Sequence, residues 1–483
     1  MGTRKQDYLL QLIASLSPNE QRYFKLFSNI YPGDKSYLAL FDGLKDKEHY
    51  DANILKRELN INSKRLKGYK YYLNQMLLRS LGNNAESSSE MLVYRAYLEA
   101  YSLLERRLFD YALEYVTKII DKAKELELFL FLPNLISIKQ SCLHGLQRHK
   151  EIPTLNEELR YCNLVATELF EITQLRYSVT GAERTRDEKE MLLLFKHPIL
   201  KKKVKNFKRL KAQMAWFDIM ARQVAFFDTP AQFVKLMKLE VEFYEKDQRA
   251  KFIDPLIYLN SFQKLAMAEM KAGTPVRALP WLEKLIGILN KPSFPISGEK
   301  IRAIKGWAHY NTSRALRSLN RFDEALIQAK KSCGESDKNS PYDYFTFRFE
   351  YALVLLHTGH CKETADEING LLQLNTDMRR DLQLLLRPLL ILAQLEMKNT
   401  SVIPYLTKSA KAWLKREKKS SPEADVFFHF TYALSKASRA ELPKILLEFK
   451  TANDQELTGY LGGANIELAN WILKQRLKNK RLA

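Results

Sequence analysis

Apolar residues in this chain recur at intervals of three and four, as at Leu9, Leu12, Ile13 and Leu16. That spacing gathers them on one face of an α-helix. Short alternating runs bounded by Asn-Gly or Asp-Gly, the mark of strands and hairpins, hardly occur. The expected fold is all-α. One segment shows how the helices join: Asn320-Arg321-Phe322-Asp323-Glu324-Ala325 lies between helical patterns over Trp307 to Leu319 and Asp323 to Ser332. A small turn residue, an aromatic two positions on and an alanine three further predict a helix-turn-helix hinge. The aromatic fills the space between the helices, and the alanine lets them cross closely. Looser versions occur at Arg107, Phe109 and Ala112, and at Gly273, Pro275 and Ala278. Two more fall at Gly359, Cys361 and Thr364, and at Asn399, Ser401 and Pro404. Such units cannot bury their apolar faces alone and stack into a solenoid.

Residues 1–84 read as a separate helical module. Ser17-Pro18-Asn19-Glu20 is a helix start, with Ser17 and Glu20 placed for a capping box and Pro18 in the first turn. The helix over Arg22 to Ile30 is stopped by Pro32-Gly33-Asp34, and further helices are predicted over Lys35 to Lys45, Asp51 to Leu59 and Ser63 to Leu81. The polar stretch from Gly82 to Ser89 reads as a linker. Hairpins then follow over 90–463, with crossing positions at Ala112, Phe233, Ala278, Ala325, Thr364, Pro404 and Pro443. Between Ala112 and Phe233 the pattern is lost, and residues 154–226 read as long helices broken near Gly181 and at His197-Pro198. A C-terminal capping helix and basic tail are expected over 464–483.

Over roughly residues 90–460, the serial hinge pattern resembles the tetratricopeptide repeat superfamily, with the Ala325 unit the nearest match. The spacing from Phe233 onward is longer than that superfamily's repeat of about 34 residues, so these units carry longer helices or loops. The opening Ser17-Pro18-Asn19-Glu20-Gln21-Arg22-Tyr23-Phe24-Lys25-Leu26-Phe27 also resembles that of uncharacterised repeat proteins from Bacteroidetes bacteria, a likeness that carries no activity. The resemblance implies a scaffold that binds a protein or peptide partner on a concave face lined by the first helix of each hairpin. Counting back from the crossing positions puts Trp307, Tyr310, Arg314 and Arg317 on that face. Tyr94, Tyr97, Tyr101 and Leu104 follow from the Ala112 unit, and Asn260, Gln263, Met267 and Met270 from the Ala278 unit. Aromatic and arginine side chains there suit peptide recognition, because each offers a large, anchoring contact. The alternative is that the tyrosines pack between neighbouring helices.

Charge adds a second class of partner. The formal net charge is +21, which favours a polyanion such as RNA, DNA or an acidic membrane face, although an extended repeat protein also carries lysine for solubility. The densest run is Lys201, Lys202, Lys203, Lys205, Lys208, Arg209 and Lys211, with no acid among them, a candidate phosphate-binding segment or a solvated bend. Leu55 to Leu73 has the outline of a DNA-reading helix-turn-helix. Leu55 and Leu59 precede a turn at Asn60-Ile61-Asn62; Leu66, Tyr69 and Leu73 form an apolar stripe, and Lys64, Lys67 and Tyr71 face outward. The chain is therefore open to a reading as an RNA- or ribosome-associated protein, or as a DNA-binding regulator with a repeat sensor domain.

No enzymatic activity, cofactor or metal is expected. Phosphate-loop, nucleophile-elbow and paired His-Glu zinc motifs are missing from the sequence. His357, His360 and Cys361 have poor spacing for zinc and lack a fourth ligand. Cys142, Cys162, Cys333 and Cys361 are scattered, which suits a reducing compartment. Arg4 and Lys5 precede Tyr8 to Leu16, but Asp7 and Gln11 interrupt any signal-peptide pattern, and Gln6 stands where myristoylation needs Ser or Thr. No run approaches a membrane span. A cytoplasmic protein is expected.

Overall fold

The computed structural model describes residues 8–445, apart from 31–34, 46–50, 85–88, 186, 228, 292–293, 295, 297, 337–339, 375–379, 418–421, 438–440 and 442–443. Pro443 and the expected capping helix and tail over 464–483 lie outside the described residues. Among the described residues every regular element is a helix, and the fold is an all-α helical-repeat solenoid. The chain forms two compact units, one of residues 1–175 with 207–212, the other of residues 176–206 with 213–483.

The first unit begins with α1 (Tyr8–Ser15), α2 (Pro18–Ile30), α3 (Ser36–Leu44), α4 (Ala52–Glu58) and α5 (Ser63–Asn84). At the start of α2 the Ser17 N–H donates to the Glu20 carboxylate at 2.7 Å and the Glu20 N–H returns a bond to Ser17 Oγ at 3.3 Å. This is the reciprocal cap that Ser17 and Glu20 predict. These five helices share one core, from Leu9 and Ile13 through Phe24, Phe41 and Leu55 to Leu73 and Leu77. Gly82, Asn83 and Asn84, expected to open a linker, instead close α5. There follow α6 (Ser89–Glu105), α7 (Phe109–Glu125), α8 (Leu132–Gly145) and α9 (Ile152–Thr185), whose residues from Arg176 on belong to the second unit. The break expected near Gly181 is absent: α9 runs through it to Thr185, because Gly181 is exposed and its helical backbone needs no side chain there.

In the second unit α10 (Glu188–Leu194) is followed by short 3-10 turns at Pro198–Lys201 and Val204–Asn206, and then by α11 (Leu210–Phe226), whose first turn belongs to the first unit. The remaining helices are α12 (Pro230–Lys246), α13 (Ala250–Ile253), α14 (Pro255–Lys271), α15 (Pro275–Leu289), α16 (Gly298–Ser318) and α17 (Phe322–Glu335). They continue with α18 (Pro341–Thr358), α19 (Cys361–Gln373), α20 (Arg380–Glu396), α21 (Ile403–Arg416) and α22 (Pro422–Lys436). From α14 onward each helix packs against the next, so apolar faces are covered by sequence neighbours. Phe345, Phe349, Ile368, Leu386, Ile391, Ile403 and Phe427 mark one continuous stretch of this core.

One backbone device closes the hairpins. Asn60, Arg107, Glu127, Gln147, Gly273, Asn320, Gly359 and Lys398 all have φ between 50° and 84°. In each case the next residue's N–H reaches back five positions, as Arg321 does to the Leu316 carbonyl at 2.9 Å and His360 to Leu355 at 2.9 Å. The left-handed residue thereby satisfies carbonyls that the ending helix would leave bare. Five residues beyond it Ala112, Leu132, Ala278, Ala325, Thr364 and Ile403 are fully buried. The hinge expected at Asn399 and Pro404 is therefore shifted by one: Lys398 takes the left-handed conformation and Ile403 the crossing position, leaving Pro404 to the first turn of α21. The turns at Glu127 and Gln147 fill the region where no hinge was legible. The aromatic two positions beyond the turn also packs: Phe109 presses on α8 so closely that a Cβ built on Gly145 would lie 2.7 Å from its ring.

A left-handed residue other than glycine costs about 1–2 kcal/mol. Arg107→Gly and Lys398→Gly are expected to raise the thermal midpoint, each recovering about 1 kcal/mol, because glycine takes this conformation freely. Gly145→Ala should lower it, by about 1–3 kcal/mol of overpacking. Thermal unfolding followed by circular dichroism checks both directions.

Candidate functional site

Trp307, Tyr310, Arg314 and Arg317 do form one stripe on α16, but the stripe is engaged by α18. Trp307 Nε1 donates to Asp343 Oδ1 at 3.2 Å, and its ring meets Phe347 edge-on at 5.2 Å. Tyr310 lies 5.6 Å from the same phenylalanine, and the Arg314 guanidinium sits 5.5 Å from the Tyr310 ring. Arg317 grips Glu350 with two nitrogens, at 3.0 and 3.3 Å, and Ser313 Oγ adds a third bond to that carboxylate at 3.2 Å. Arg317 is only 14% exposed and Glu350 3%. Arg317 is thus part of the helix packing. Gln263 on α14 donates to the Ile304 carbonyl of α16 at 3.2 Å, and it too ties neighbouring helices together.

Tyr94 and Tyr97 on α6 meet the Phe131 ring edge-on at 4.6 and 5.2 Å, and Tyr101 is 6.4 Å from Tyr97. Tyr97 is half-buried, whereas Tyr94 and Tyr101 stay exposed at the rim of this small aromatic cluster. The side of α6 that faces α7 borders an open cleft of about 590 Å³, lined by Arg95, Leu98, Glu99, Arg106, Tyr111 and Tyr115 among others. Leu98 is 64% exposed and Tyr111 59%. Standing side by side in one cleft, they give it an exposed apolar surface of the kind that can mark an interaction site. Tyr115 donates its hydroxyl to the Glu99 carboxylate, and this bond is the main reason its phenol is pushed up to about 12. Arg95 Nε sits on the same carboxylate at 3.3 Å. The cleft therefore has a hydrogen-bonded polar wall and exposed apolar side chains.

The basic run lies on the bend between α10 and α11, where short 3-10 turns carry it up to α11. Lys201, Lys202, Lys203 and Lys205 are exposed in the second unit. Lys208, Arg209 and Lys211 belong to the first unit and have protein partners there. Lys208 lies 5.6 Å from the Tyr161 ring, Arg209 bonds Tyr161 Oη at 2.8 Å and covers the Phe129 ring at 4.4 Å, and Lys211 pairs with Glu90 at 3.0 Å. The buried Glu127 carboxylate accepts the backbone N–H groups of Leu210 and Lys211 at 3.0 and 2.8 Å. An anion at a helix N-terminus satisfies bare donors and meets the positive end of the helix dipole. One half of the run is therefore presented to solvent, where it can meet an anion, and the other half is structural.

Sequence reasoning missed a ladder of buried charges between α11, α12 and α14. Glu240 on α12 accepts from Lys264 Nζ at 2.7 Å and from Tyr244 Oη at 3.2 Å, while Lys238 returns from α12 to Glu269 on α14 at 3.1 Å. Asp218 on α11 lies 3.5 Å from Lys264 and 3.5 Å from Arg222, which also pairs with Glu183. Burial pushes the Asp218 carboxyl up, but Lys264, Arg222 and Arg176 outweigh it and hold the group below its ordinary value. Burial opposes the charge on Lys264, yet Glu240 and Asp218 keep its ammonium protonated further into the alkaline range. The signal in the sequence is a carboxylate on an otherwise apolar stripe, Met237, Glu240, Val241 and Tyr244, all of which are buried. Two reciprocal pairs in opposite directions lock the register of α12 against α14.

His357 stacks on Phe322 at 4.6 Å, and His360 Nδ1 lies 2.9 Å from Thr358 Oγ1, so both rings serve the hairpin. Among the described residues no group of His, Cys, Asp and Glu side chains is arranged to hold a metal. Among them, too, no helix is long and apolar enough to cross a membrane. No protein-family model matches the chain, and no curated protein matches it.

Removing one partner of a buried ion pair strands the other, at a cost of about 3–5 kcal/mol. Arg317→Ala should therefore lower the thermal midpoint markedly, whereas Arg314→Ala, at a position with no buried carboxylate, should move it little. The Asp218 carboxyl is depressed in the folded protein, so its stabilisation is complete above the unfolded value of about 3.9 and vanishes as pH falls through the lower folded value. Asp218→Asn should flatten that acid limb in unfolding curves measured at descending pH.

Proposed function

We propose that this chain is a non-enzymatic scaffold that binds a protein or peptide partner, as its resemblance to tetratricopeptide repeat proteins implies, and that it works in the cytoplasm. The observation that carries the reading is the cleft between α6 and α7, where Leu98 and Tyr111 stand exposed beside Arg95 and Arg106. Its volume lies in the range of ligand sites, about 300–1,000 Å³, large enough for an apolar side chain and its flanking backbone. Tyrosine and arginine are the side chains that most often dominate an interface. Tyr94 and Tyr101, exposed on the same helix, extend the surface. Trp307, Tyr310 and Arg317 support it indirectly, by holding α16 against α18. Four cysteines that remain thiols suit a reducing compartment.

A second reading, binding of RNA or another polyanion, is favoured by the exposed Lys201, Lys203 and Lys205 beside a net charge of +21. Affinity capture from lysate, with and without nuclease, separates the two. The double substitution Leu98→Ala and Tyr111→Ala should abolish a nuclease-resistant partner while leaving the thermal midpoint almost unchanged, since both side chains are exposed. A partner that survives this substitution but disappears with nuclease would favour the polyanion reading instead.

A further inference from the structure

The N-terminal module presents a surface that the scaffold reading does not use. Asp51 caps α4, accepting the Asn53 N–H at 2.6 Å, and the left-handed Asn60 ends that helix. Asn62 then caps α5 through its Oδ1, which accepts the Arg65 N–H at 2.9 Å. Lys56 Nζ bonds Ser63 Oγ at 3.2 Å and fixes the two helices across the turn. On α5 the inner stripe of Leu66, Leu73, Met76 and Leu77 is buried in the module core, with Leu55 of α4 beside it.

The outer stripe is different in kind. Lys64, Lys67, Gly68 and Tyr71 follow at i, i+3, i+4 and i+7, so they share one face of the helix. All four are exposed, Tyr71 at 69%, and so is Arg65 beside them. Among the described residues no carboxylate pairs with Lys64, Arg65 or Lys67. Nothing lies within 4 Å of a Cβ placed on Gly68, which leaves a flat saddle between the lysines and the tyrosine. Residues 51–84 carry seven basic side chains (Lys56, Arg57, Lys64, Arg65, Lys67, Lys70, Arg79) and two acidic ones (Asp51, Glu58). Three basic groups on the first two turns also sit at the positive end of the α5 dipole, where cations are least at ease unless an anion joins them.

We propose that this face of α5 docks in the major groove of a DNA duplex, with Lys64, Arg65 and Lys67 on phosphates and Tyr71 against the groove wall. The groove is about 12 Å wide and admits a helix whose outer face is uncovered, whereas the deep, narrow major groove of A-form RNA does not. A helix held from behind by the α2 and α3 packing, and tied to α4 by the Lys56–Ser63 bond, has its outer face free to enter it. The proposal concerns a surface separate in sequence from the α6–α7 cleft, and either can fail without the other.

The test is fluorescence anisotropy of a labelled DNA duplex of mixed sequence, titrated with the full chain over a series of salt concentrations. Two triple variants each remove three charges: Lys64→Gln, Arg65→Gln and Lys67→Gln on α5, and Lys201→Gln, Lys203→Gln and Lys205→Gln on the other exposed run. The α5 variant should weaken binding at least roughly tenfold and reduce the salt slope by about 0.9 for each phosphate that is no longer neutralised. The control variant should keep both within the parent's range. Tyr71→Ala should weaken binding with the slope unchanged, since it removes no charge. If the two triple variants fall alike, or an A-form RNA duplex competes as well as DNA, binding follows net charge alone and the proposal is overturned.

Discussion

The left-handed turn is the constraint on which the rest of this structure depends. A helix of about four or five turns with one apolar stripe has no stable home until a second helix covers that stripe. The eight positive-φ residues among those described bring the second helix back at once, because the N–H after each one closes on a carbonyl five positions earlier. The returning α-helix then begins within two to five residues of the turn. At six of the eight turns a fully buried residue, as small as alanine at Ala112, Ala278 and Ala325, falls five positions on. Six of the eight positions are not glycine, so the strain of the left-handed conformation is borne by the packing that follows it.

Stacking buries more than apolar surface. Interfaces between helices of the second unit hold carboxylates whose cations come from a neighbouring helix: Glu240 with Lys264, Glu269 with Lys238, Glu350 with Arg317. Such pairs add little net stability, since both ions lose water. Their effect is on register. A helix that slid by one turn would carry a bare carboxylate into an apolar layer, so only one alignment is tolerated. Apolar stripes alone, made of interchangeable leucines and alanines, would discriminate far less between neighbouring registers.

The same requirement sorts the surface. Aromatic and arginine side chains on α16 are consumed by α18, while those at the α6–α7 cleft have no helix to cover them among the described residues. Basic residues divide in the same way. Lys208, Arg209 and Lys211 serve Tyr161, Phe129 and Glu90, whereas Lys64, Arg65 and Lys67 face outward from a module with its own core. A net charge of +21 is therefore not one property of the chain, because part of it is neutralised by local partners and part is presented to solvent.

The all-α class, the hinges at Arg107, Gly273, Asn320 and Gly359, the capping box at Ser17 and Glu20, and the stripes of α5 are legible along the chain. They rest on interactions within a few residues, where period and turn chemistry decide the outcome. The turns at Glu127 and Gln147 are not legible, because neither is a small turn residue and Leu132 and Ile152 stand where the pattern has alanine. Nor is the one-residue shift at Lys398, which only the burial of Ile403 selects over Pro404. The candidate site shows the same division. That Trp307, Tyr310, Arg314 and Arg317 share a face follows from their spacing, but whether that face meets solvent or Asp343, Phe347 and Glu350 depends on a helix more than thirty residues away. Spacing determines which side chains stand together, and only the packing of one hairpin on the next determines which of them stay exposed, because burial is a property of the pair of surfaces and not of either one.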